Sequence, residues 1–200
     1  MDEALRIILP VYLAAYFGVA ILWRSIAVWR QTGINPYVMG RSDSAYDFIG
    51  FAFKLVFGLL AVAILLFSVL RPFYIYAMPV VWLDFPLVKW IGLVLLLVSF
   101  AWTAASQTQM GTSWRIGIDK KNRTELVGKG IFTISRNPIF LGMRVGLLAV
   151  FLIIPSAITL LALVLGDILL QIQVRLEEEH LRGLHGEVYE EYRGQVRRWV

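Results

Sequence analysis

The chain of 200 residues is 58% hydrophobic and 16% charged, far more apolar than an ordinary soluble domain, and its apolar residues form long runs typical of lipid-embedded helices. It contains no cysteine, which excludes a disulfide framework, a thiolate nucleophile and a cysteine-ligated metal or cluster. The net charge of +5 comes from basic residues between the apolar runs, which indicates membrane topology and argues against nucleic acid as a partner.

Three apolar runs in the first half of the chain predict transmembrane helices over residues 7–24, 48–70 and 87–106. Lys54 lies near the start of the second run, where a lysine side chain can reach the lipid headgroups. The aromatic-rich stretch 71–82 precedes the third run and is typical of a membrane interface. We expect the first two helices to carry no chemistry.

Residues 139–174 are mostly apolar, but at about 1.5 Å per residue they are too long for one crossing of about 30 Å. Pro155 and Ser156 divide this run near its middle. Either a kinked single helix or a hairpin of two spans, residues 138–154 and 157–174, fits the division. The two alternatives place the C-terminus on opposite sides of the membrane.

The distribution of basic residues decides between them. Three, six and five Lys or Arg residues fall in residues 24–46, 106–136 and 175–200, whereas only three fall in the segments on the opposite side. Only the hairpin places the three basic segments on the same side of the membrane, and the positive-inside rule makes that side cytosolic. We therefore predict an all-α, polytopic integral membrane protein of about five transmembrane helices, with residues 1–200 forming one domain, the N-terminus outside and the C-terminus in the cytosol. In a prokaryote it would lie in the inner membrane.

Polar residues in the last two spans require an explanation because they are costly in lipid. Arg144 and Asp167 lie one on each arm of the hairpin and are predicted to pair. The pair either fixes only the packing of the arms, or Asp167 begins a stripe with Gln171, Val174 and Glu178 that lines a cavity open to the cytosol.

The C-terminal segment reads as an amphipathic helix, broken at Gly183 or Gly186, that carries Glu177, Glu178 and two tyrosines. These carboxylates either form a solvated face or extend the polar stripe. With only two histidines, five residues apart, we expect no metal site.

The polar loop before the fourth span contains a second concentration of motifs. Gly128 and Gly130 allow the backbone to approach a ligand closely, and Leu126 and Val127 are suited to cover a flat ring while their amides bind its edge. Asn137-Pro138 predicts the start of a helix, with the asparagine as cap and the proline in the first turn.

Together, in this order and spacing, these segments resemble the isoprenylcysteine carboxyl methyltransferase and phospholipid methyltransferase family of integral membrane enzymes. The resemblance covers residues 111–200 through three motifs: Leu-Val-x-x-Gly at 126–130, an Arg-His-Pro-x-Tyr-like stretch at 136–140, and a Glu-Glu-x-x-Leu…Gly-x-x-Tyr-x-x-Tyr tail starting at Glu177. Asn137 replaces the usual histidine, Phe140 the usual tyrosine, and His185 the usual phenylalanine. These departures weaken any inference about the methyl acceptor, and we do not predict prenylcysteine.

The resemblance implies methyl transfer from S-adenosylmethionine to a lipophilic acceptor at the cytosolic membrane face. The implied cofactor region comprises residues 111–140 and 167–195, with the adenine against the backbone of 126–130. The implied cofactor-binding residues are Glu125, Leu126, Val127, Gly128, Gly130, Arg136, Asn137, Pro138, Phe140, Glu177 and Glu178, and the candidate catalytic residues are Arg136, Glu178 and Asp167.

The same residue types support this interpretation independently. A carboxylate suits an amino or ribose group, an arginine suits a carboxylate, and the aromatic ring of Phe140 suits a sulfonium. If the acceptor must lose a proton, Glu178 or Asp167 is the candidate base. No dinucleotide-binding glycine fingerprint follows a strand, which disfavours a Rossmann-type cofactor domain.

Two alternatives remain open at this point. The first is a membrane lipid or sterol reductase that uses a nicotinamide cofactor, because such reductases resemble this family in the C-terminal region. The second is a non-enzymatic membrane protein whose arginines and carboxylates hold helices together or bind anionic lipid.

Overall fold

Helices form almost the whole computed structural model, which describes residues 1–38, 40, 43–117, 119, 122 and 124–200. The described residues contain no strand beyond two isolated bridges, so the predicted all-α class is confirmed. The helices are α1 Asp2–Phe17, a π-helical turn Gly18–Trp23, α2 Arg24–Thr32, α3 Ala45–Ser68, α4 Pro86–Met110, α5 Pro138–Ile153, α6 Ala157–His185 and α7 Glu187–Gln195. Short 3-10 turns occur at Arg71–Ala77, Val81–Leu83, Gly111–Ser113 and Gly130–Thr133.

Four helical segments of the described chain are long and apolar enough to cross a membrane: Asp2–Thr32, Ala45–Ser68, Pro86–Ser113 and Ala157–His185. The fifth apolar helix, α5, has only 16 residues and is therefore about 24 Å long, shorter than the hydrocarbon core of about 30 Å. One face of α4 exposes apolar side chains as a lipid-facing surface does: Leu87, Trp90, Ile91, Val94, Leu97 and Val98. The chain is thus a polytopic membrane protein, and each predicted span overlaps one of these five helical segments.

The last two spans form the predicted hairpin and not a kinked helix, because α5 and α6 pack against each other. Ser156 starts α6 with a capping box, in which its Oγ accepts a hydrogen bond from the Thr159 amide (3.3 Å) and its own amide donates to Thr159 Oγ1 (3.1 Å). We call the end of the bundle that holds Pro155 and Ser156 the hairpin end, and the opposite end the tail end. Lys89 Nζ lies 2.7 Å from Asp2 Oδ1, which places the first residues at the hairpin end.

The three basic segments meet at the tail end, as charge counting predicted. Arg24 Nη2 donates to the carbonyl of Gly111 (2.7 Å), and the Arg136 amide donates to the carbonyl of Arg197 (3.0 Å). The Val38 amide likewise donates to a loop carbonyl (3.0 Å). The first and last residues therefore lie at opposite ends of the bundle. Arg41, Lys120, Lys121 and Arg123, which contribute to the charge bias, lie outside the described residues.

Glycines let α5 approach α4 closely. A Cβ atom at Gly142 would lie 2.2 Å from Thr103 Oγ1, and one at Gly92 would lie 2.8 Å from Ile153 Cγ1. Small residues at such contacts allow two membrane helices to pack backbone to backbone. The short α5 is therefore held tightly against its longer neighbour.

Candidate functional site

A recess opens at the tail end because α5 begins late. While α4 continues to Met110 and α6 to His185, α5 starts only at Pro138, so the space beyond its first turn is left between two longer helices. The loop before α5 and the helix α7 cover this space. It forms a cavity of about 270 Å³, near the lower end of the ~300–1,000 Å³ range of small-molecule sites.

Most of the predicted cofactor-binding residues line this cavity. They come from the loop before α5, from the start of α5 and from α6: Glu125, Leu126, Val127, Arg136, Asn137, Pro138, Phe140 and Glu177. Ser113 holds the loop in place, since its Oγ donates to the carbonyl of Glu125 (3.1 Å). The predicted residues that are not part of the lining are Gly128, Gly130, Glu178 and Asp167.

The structure requires glycine at only one of the two loop positions. Gly130 has φ +62°, and a Cβ atom there would lie 2.3 Å from Gln109 Oε1, which itself accepts from the Ile131 amide (2.8 Å). A Cβ atom at Gly128 would lie 3.5 Å from the Tyr192 ring. The structure thus explains Gly130 by a turn and a close approach, whereas a Cβ atom at Gly128 would only make ordinary contact with α7.

The carboxylate of Glu178 is the centre of a buried cluster beneath the cavity. It accepts hydrogen bonds from Arg136 Nη2 (3.2 Å), from Asn137 Nδ2 (3.0 Å) and from Arg198 Nη2 (2.8 Å). The side chains of Glu178 and Arg136 are each only 8% exposed. This cluster, called the tail clamp below, ties the start of α5 to α6 and to the last residues of the chain. The sequence offered no signal for Arg198, which is one of several basic residues near the C-terminus.

Arg136 belongs to both the tail clamp and the cavity lining. Its Nη1 donates to the carbonyls of Arg193 (2.9 Å) and Val196 (2.6 Å), and its Nε and Nη2 donate to Glu178. Within the described residues, four of the five guanidinium N–H groups are therefore used, and one on Nη2 remains.

The cap predicted at Asn137 is wrong in part. Pro138 occupies the first turn of α5 as expected, but Asn137 makes no side-chain cap. Its side-chain nitrogen, Nδ2, donates instead to Glu178 Oε1 (3.0 Å) and to the carbonyl of Arg198 (3.2 Å). A hydrogen bond to a buried carboxylate is stronger than one to a neutral group, so the Asn137 side chain joins the tail clamp and does not cap α5.

The predicted polar stripe of α6 does not line the cavity. The α6 residues in the lining are Gln173, Glu177, His180 and Leu181, which lie on the adjacent face. Asp167 pairs with Arg144 as predicted, with 2.5 Å between Oδ1 and Nε, and the Arg144 guanidinium lies 4.5 Å from the Trp199 ring centre. Among the acidic residues of α6, Asp167 and Glu178 pair with arginines and lie outside the lining, whereas Glu177 lines the cavity.

The short helix α7 provides two tyrosines. Of the two predicted break points, the chain bends at Gly186, with φ +55°, while Gly183 stays within α6. Tyr189 and Tyr192 both line the cavity, and burial raises the pKa of each phenol to about 12. Tyr192 donates to the carbonyl of Phe132 (2.7 Å), whereas the Tyr189 hydroxyl has no hydrogen-bond partner among the described residues. A protonated, buried hydroxyl without a partner in the described chain therefore lies on a side chain of the cavity wall.

A second, almost wholly apolar chamber of about 50 Å³ adjoins the cavity on the membrane side. Tyr16, Phe53, Phe57 and Met143 line both spaces. The chamber lies between α1, α3 and α5 and reaches Leu60, Ile64 and Val150. Sequence reasoning missed it because hydropathy does not show which apolar faces leave a gap. A recess with charged and polar side chains in its wall thus borders an apolar chamber at these four shared residues, which we call the neck. Within the described residues, no group of three His, Cys, Asp or Glu side chains is arranged to hold a metal ion.

Comparisons with known proteins agree with this architecture. A family model described as phospholipid methyltransferase matches residues 87–188. A solved structure of the eukaryotic intramembrane Ras methyltransferase, isoprenylcysteine carboxyl methyltransferase, is similar in fold, with a TM-score of 0.52 and 17% sequence identity over 92% of this chain. The chain spans 64% of the length of that structure. Among curated proteins, no sequence matches.

Proposed function

The chain belongs to the phospholipid methyltransferase family, and from this premise we propose that it transfers a methyl group from S-adenosylmethionine to a lipophilic acceptor at the cytosolic face of the membrane. One observation carries the proposal: a recess at the tail end that contains charged and polar side chains shares part of its wall with an almost wholly apolar chamber between the helices. A polar cofactor and a lipid-like acceptor need such different environments, and they must meet at a common point. The clustering of basic segments at the tail end supports a cytosolic recess.

The residues of the recess fit S-adenosylmethionine. Leu126 and Val127 offer apolar side chains and backbone amides to an adenine ring. Glu177 suits an ammonium or ribose hydroxyl, and the remaining N–H of Arg136 suits a carboxylate. Phe140 provides an aromatic face for a cation. When bound, S-adenosylmethionine supplies the methyl group on a positively charged sulfur.

Methyl transfer depends on alignment and exclusion of water more than on strong acid catalysis. The tail clamp fixes Arg136, and α7 closes the recess against water with Tyr189. We therefore propose Arg136 as a cofactor-binding residue and Glu178 as a positioning residue that acts through Arg136 and Asn137. Asp167, paired with Arg144 outside the lining, is proposed to hold the two arms of the hairpin.

The chamber gives the acceptor a place for its apolar part. Its lining is nearly free of polar surface, so it favours hydrocarbon, and an acceptor in the bilayer is close to the chamber because α1, α3 and α5 lie in the membrane. The polar head of such an acceptor would reach the neck between chamber and recess.

Binding measurements test this proposal directly. Calorimetric titration of the detergent-purified protein with S-adenosylmethionine and S-adenosylhomocysteine should show saturable binding of both and none of a reduced nicotinamide. Glu177→Gln should weaken both affinities by about ten-fold, the loss expected for a hydrogen bond to a charged group. Glu179→Gln is the matched control, because Glu179 is exposed and lies outside the cavity, and its affinities should equal the wild type.

Three other outcomes of these titrations would contradict the proposal. Binding of the nicotinamide alone would establish a reductase. Binding of none of the three ligands would support a non-enzymatic membrane protein. Equal affinities in the Glu177 and Glu179 variants would refute the placement of the cofactor.

A further inference from the structure

A π-helical turn, Gly18–Trp23, interrupts the first membrane helix where it passes the cavity. The Arg24 amide reaches back five residues to the carbonyl of Val19, so this turn is wider than an α-helical one. Single π-helical turns within α-helices are rare and occur mainly at functional sites. Ala20 and Ile21, both within the turn, line the cavity.

The turn orients one side chain of α4. Gln107 Nε2 donates a hydrogen bond to the carbonyl of Ala20 (3.1 Å). Because a carbonyl can only accept, the NH₂ of the amide must face Ala20, and the amide oxygen must face the other way. The orientation of the Gln107 amide is therefore set by the backbone of the π-helical turn.

The oxygen of that amide is buried and unpaired. Gln107 is 5% exposed and lines the cavity, and its Oε1 has no hydrogen-bond partner among the residues that the structure describes. Nearly all buried polar atoms in proteins are paired, so an unpaired one on a side chain that lines a cavity points to a ligand group. An amide oxygen can only accept, and the group it pairs with must be an N–H or O–H donor.

Gln107 lies beside the neck between the recess and the chamber. Along the first helix, Tyr12 lines the chamber alone, Tyr16 lines both spaces, and Ala20 lines the recess alone. Since Gln107 is bonded to Ala20, its oxygen lies about one helical turn from the neck, on the recess side. The polar head of a molecule whose apolar part fills the chamber would lie at this level.

We infer that Gln107 is a specificity-determining residue for the methyl acceptor, whose head group donates an N–H or O–H hydrogen bond to Gln107 Oε1. This inference rests on the proposed methyl transfer. It names the acceptor as an amine or a hydroxyl compound with an apolar tail. An ionised carboxylate or thiolate has no proton to donate, and its negative charge would face the negative end of the amide dipole. A neutral primary or secondary amine donates one N–H and keeps its lone pair for attack.

Ten-carbon amphiphiles with the same tail test the inference by binding alone. The probes are decylamine, which is protonated at pH 7, the decyltrimethylammonium ion, which has the same charge and no N–H, and decanoate. Calorimetry on the protein saturated with S-adenosylhomocysteine should show decylamine binding about ten-fold more tightly than decyltrimethylammonium, with decanoate weaker than decylamine. In Gln107→Met, which keeps the length and removes both polar atoms, decylamine and decyltrimethylammonium should bind within about two-fold of each other.

The matched control is Gln171→Met, the same change in α6. The Gln171 side chain accepts from Arg175 (3.0 Å) and does not line the cavity, so the wild-type preference should persist. A preference that survives in Gln107→Met would overturn the inference. Decanoate binding more tightly than decylamine to the wild type would also overturn it, even if the Gln107 variant failed to fold.

The S-adenosylhomocysteine titration separates the two levels of the proposal. If the wild type does not bind it, the proposed function fails and the inference fails with it. If the wild type binds it but Gln107→Met binds it at least ten-fold more weakly, with the probe preference unchanged, Gln107 contacts the cofactor and only the inference is overturned. Unchanged cofactor affinity together with a lost probe preference supports both.

Discussion

Replacing Glu178 by alanine is expected to release the tail from the start of α5. The change leaves Arg136, with an 8% exposed side chain, without its carboxylate partner, while Arg198 is 31% exposed and can return to solvent. Breaking a buried ion pair on one side costs about 3–5 kcal/mol, and the partial exposure of Arg198 favours the lower value, about 3 kcal/mol. At about 1.4 kcal/mol per factor of ten, the open tail should become roughly 100-fold more populated.

Limited trypsin digestion in detergent measures this opening. Cleavage after Arg193 and Arg197 requires the tail to leave the clamp, and its rate follows the population of the open form when closing is fast. Mass spectrometry of timed samples should show cleavage about 100-fold faster in Glu178→Ala and unchanged in Glu179→Ala. A rise of less than about three-fold would refute the clamp, because it would mean that the buried ion pairs contribute little to holding the tail.

Two further changes test the packing of the bundle. Arg144→Ala and Asp167→Ala should each lower the free energy of unfolding, measured by titration with sodium dodecyl sulfate. The double variant should lose about 1–2 kcal/mol less than the sum of the two single losses. Losses that simply add would contradict a direct pair. Gly142→Ala should lower the free energy of unfolding by about 1–3 kcal/mol, because the new Cβ would lie 2.2 Å from Thr103 Oγ1. The matched control is Gly58→Ala, which has no atom within 4 Å of the new Cβ and should change the free energy of unfolding little. Adding Thr103→Ala to Gly142→Ala should restore part of the lost stability.

Hydropathy and charge were sufficient to predict the all-α membrane fold and the hairpin. Long apolar runs indicate helices in a membrane, and the bias of basic residues selects the hairpin, because both depend on local composition. The pairing of Arg144 with Asp167 was also predictable, since two opposite charges on adjacent arms have few other partners in lipid.

Side-chain direction within the site was not predictable from residue type. The stripe from Asp167 to Glu178 is polar, yet the cavity is lined by the adjacent face of α6. That face carries Glu177, one residue before Glu178. The reason is tertiary: Arg198 returns from the end of the chain to bind Glu178, and no local pattern shows that return. Gln107 was missed because the predicted third span ended at residue 106, whereas α4 continues to Met110.

The shortness of α5 connects the fold with the chemistry. A helix of 16 residues leaves a recess beside two longer ones, and the recess needs a cover. The cover, α7, has nine residues, too few to be stable alone, so a buried charge cluster must hold it. The charged groups that look most catalytic by type, Glu178 and Arg136, are therefore largely engaged in holding the cover. Of the cavity-lining side chains, Gln107 and Tyr189 each keep a buried polar atom without a partner in the described chain, and one N–H of Arg136 is unused. With the carboxylate of Glu177, these are the polar groups that we propose for ligands. Loss of activity in a Glu178 variant thus identifies a chemical role only if tryptic release of the tail is unchanged.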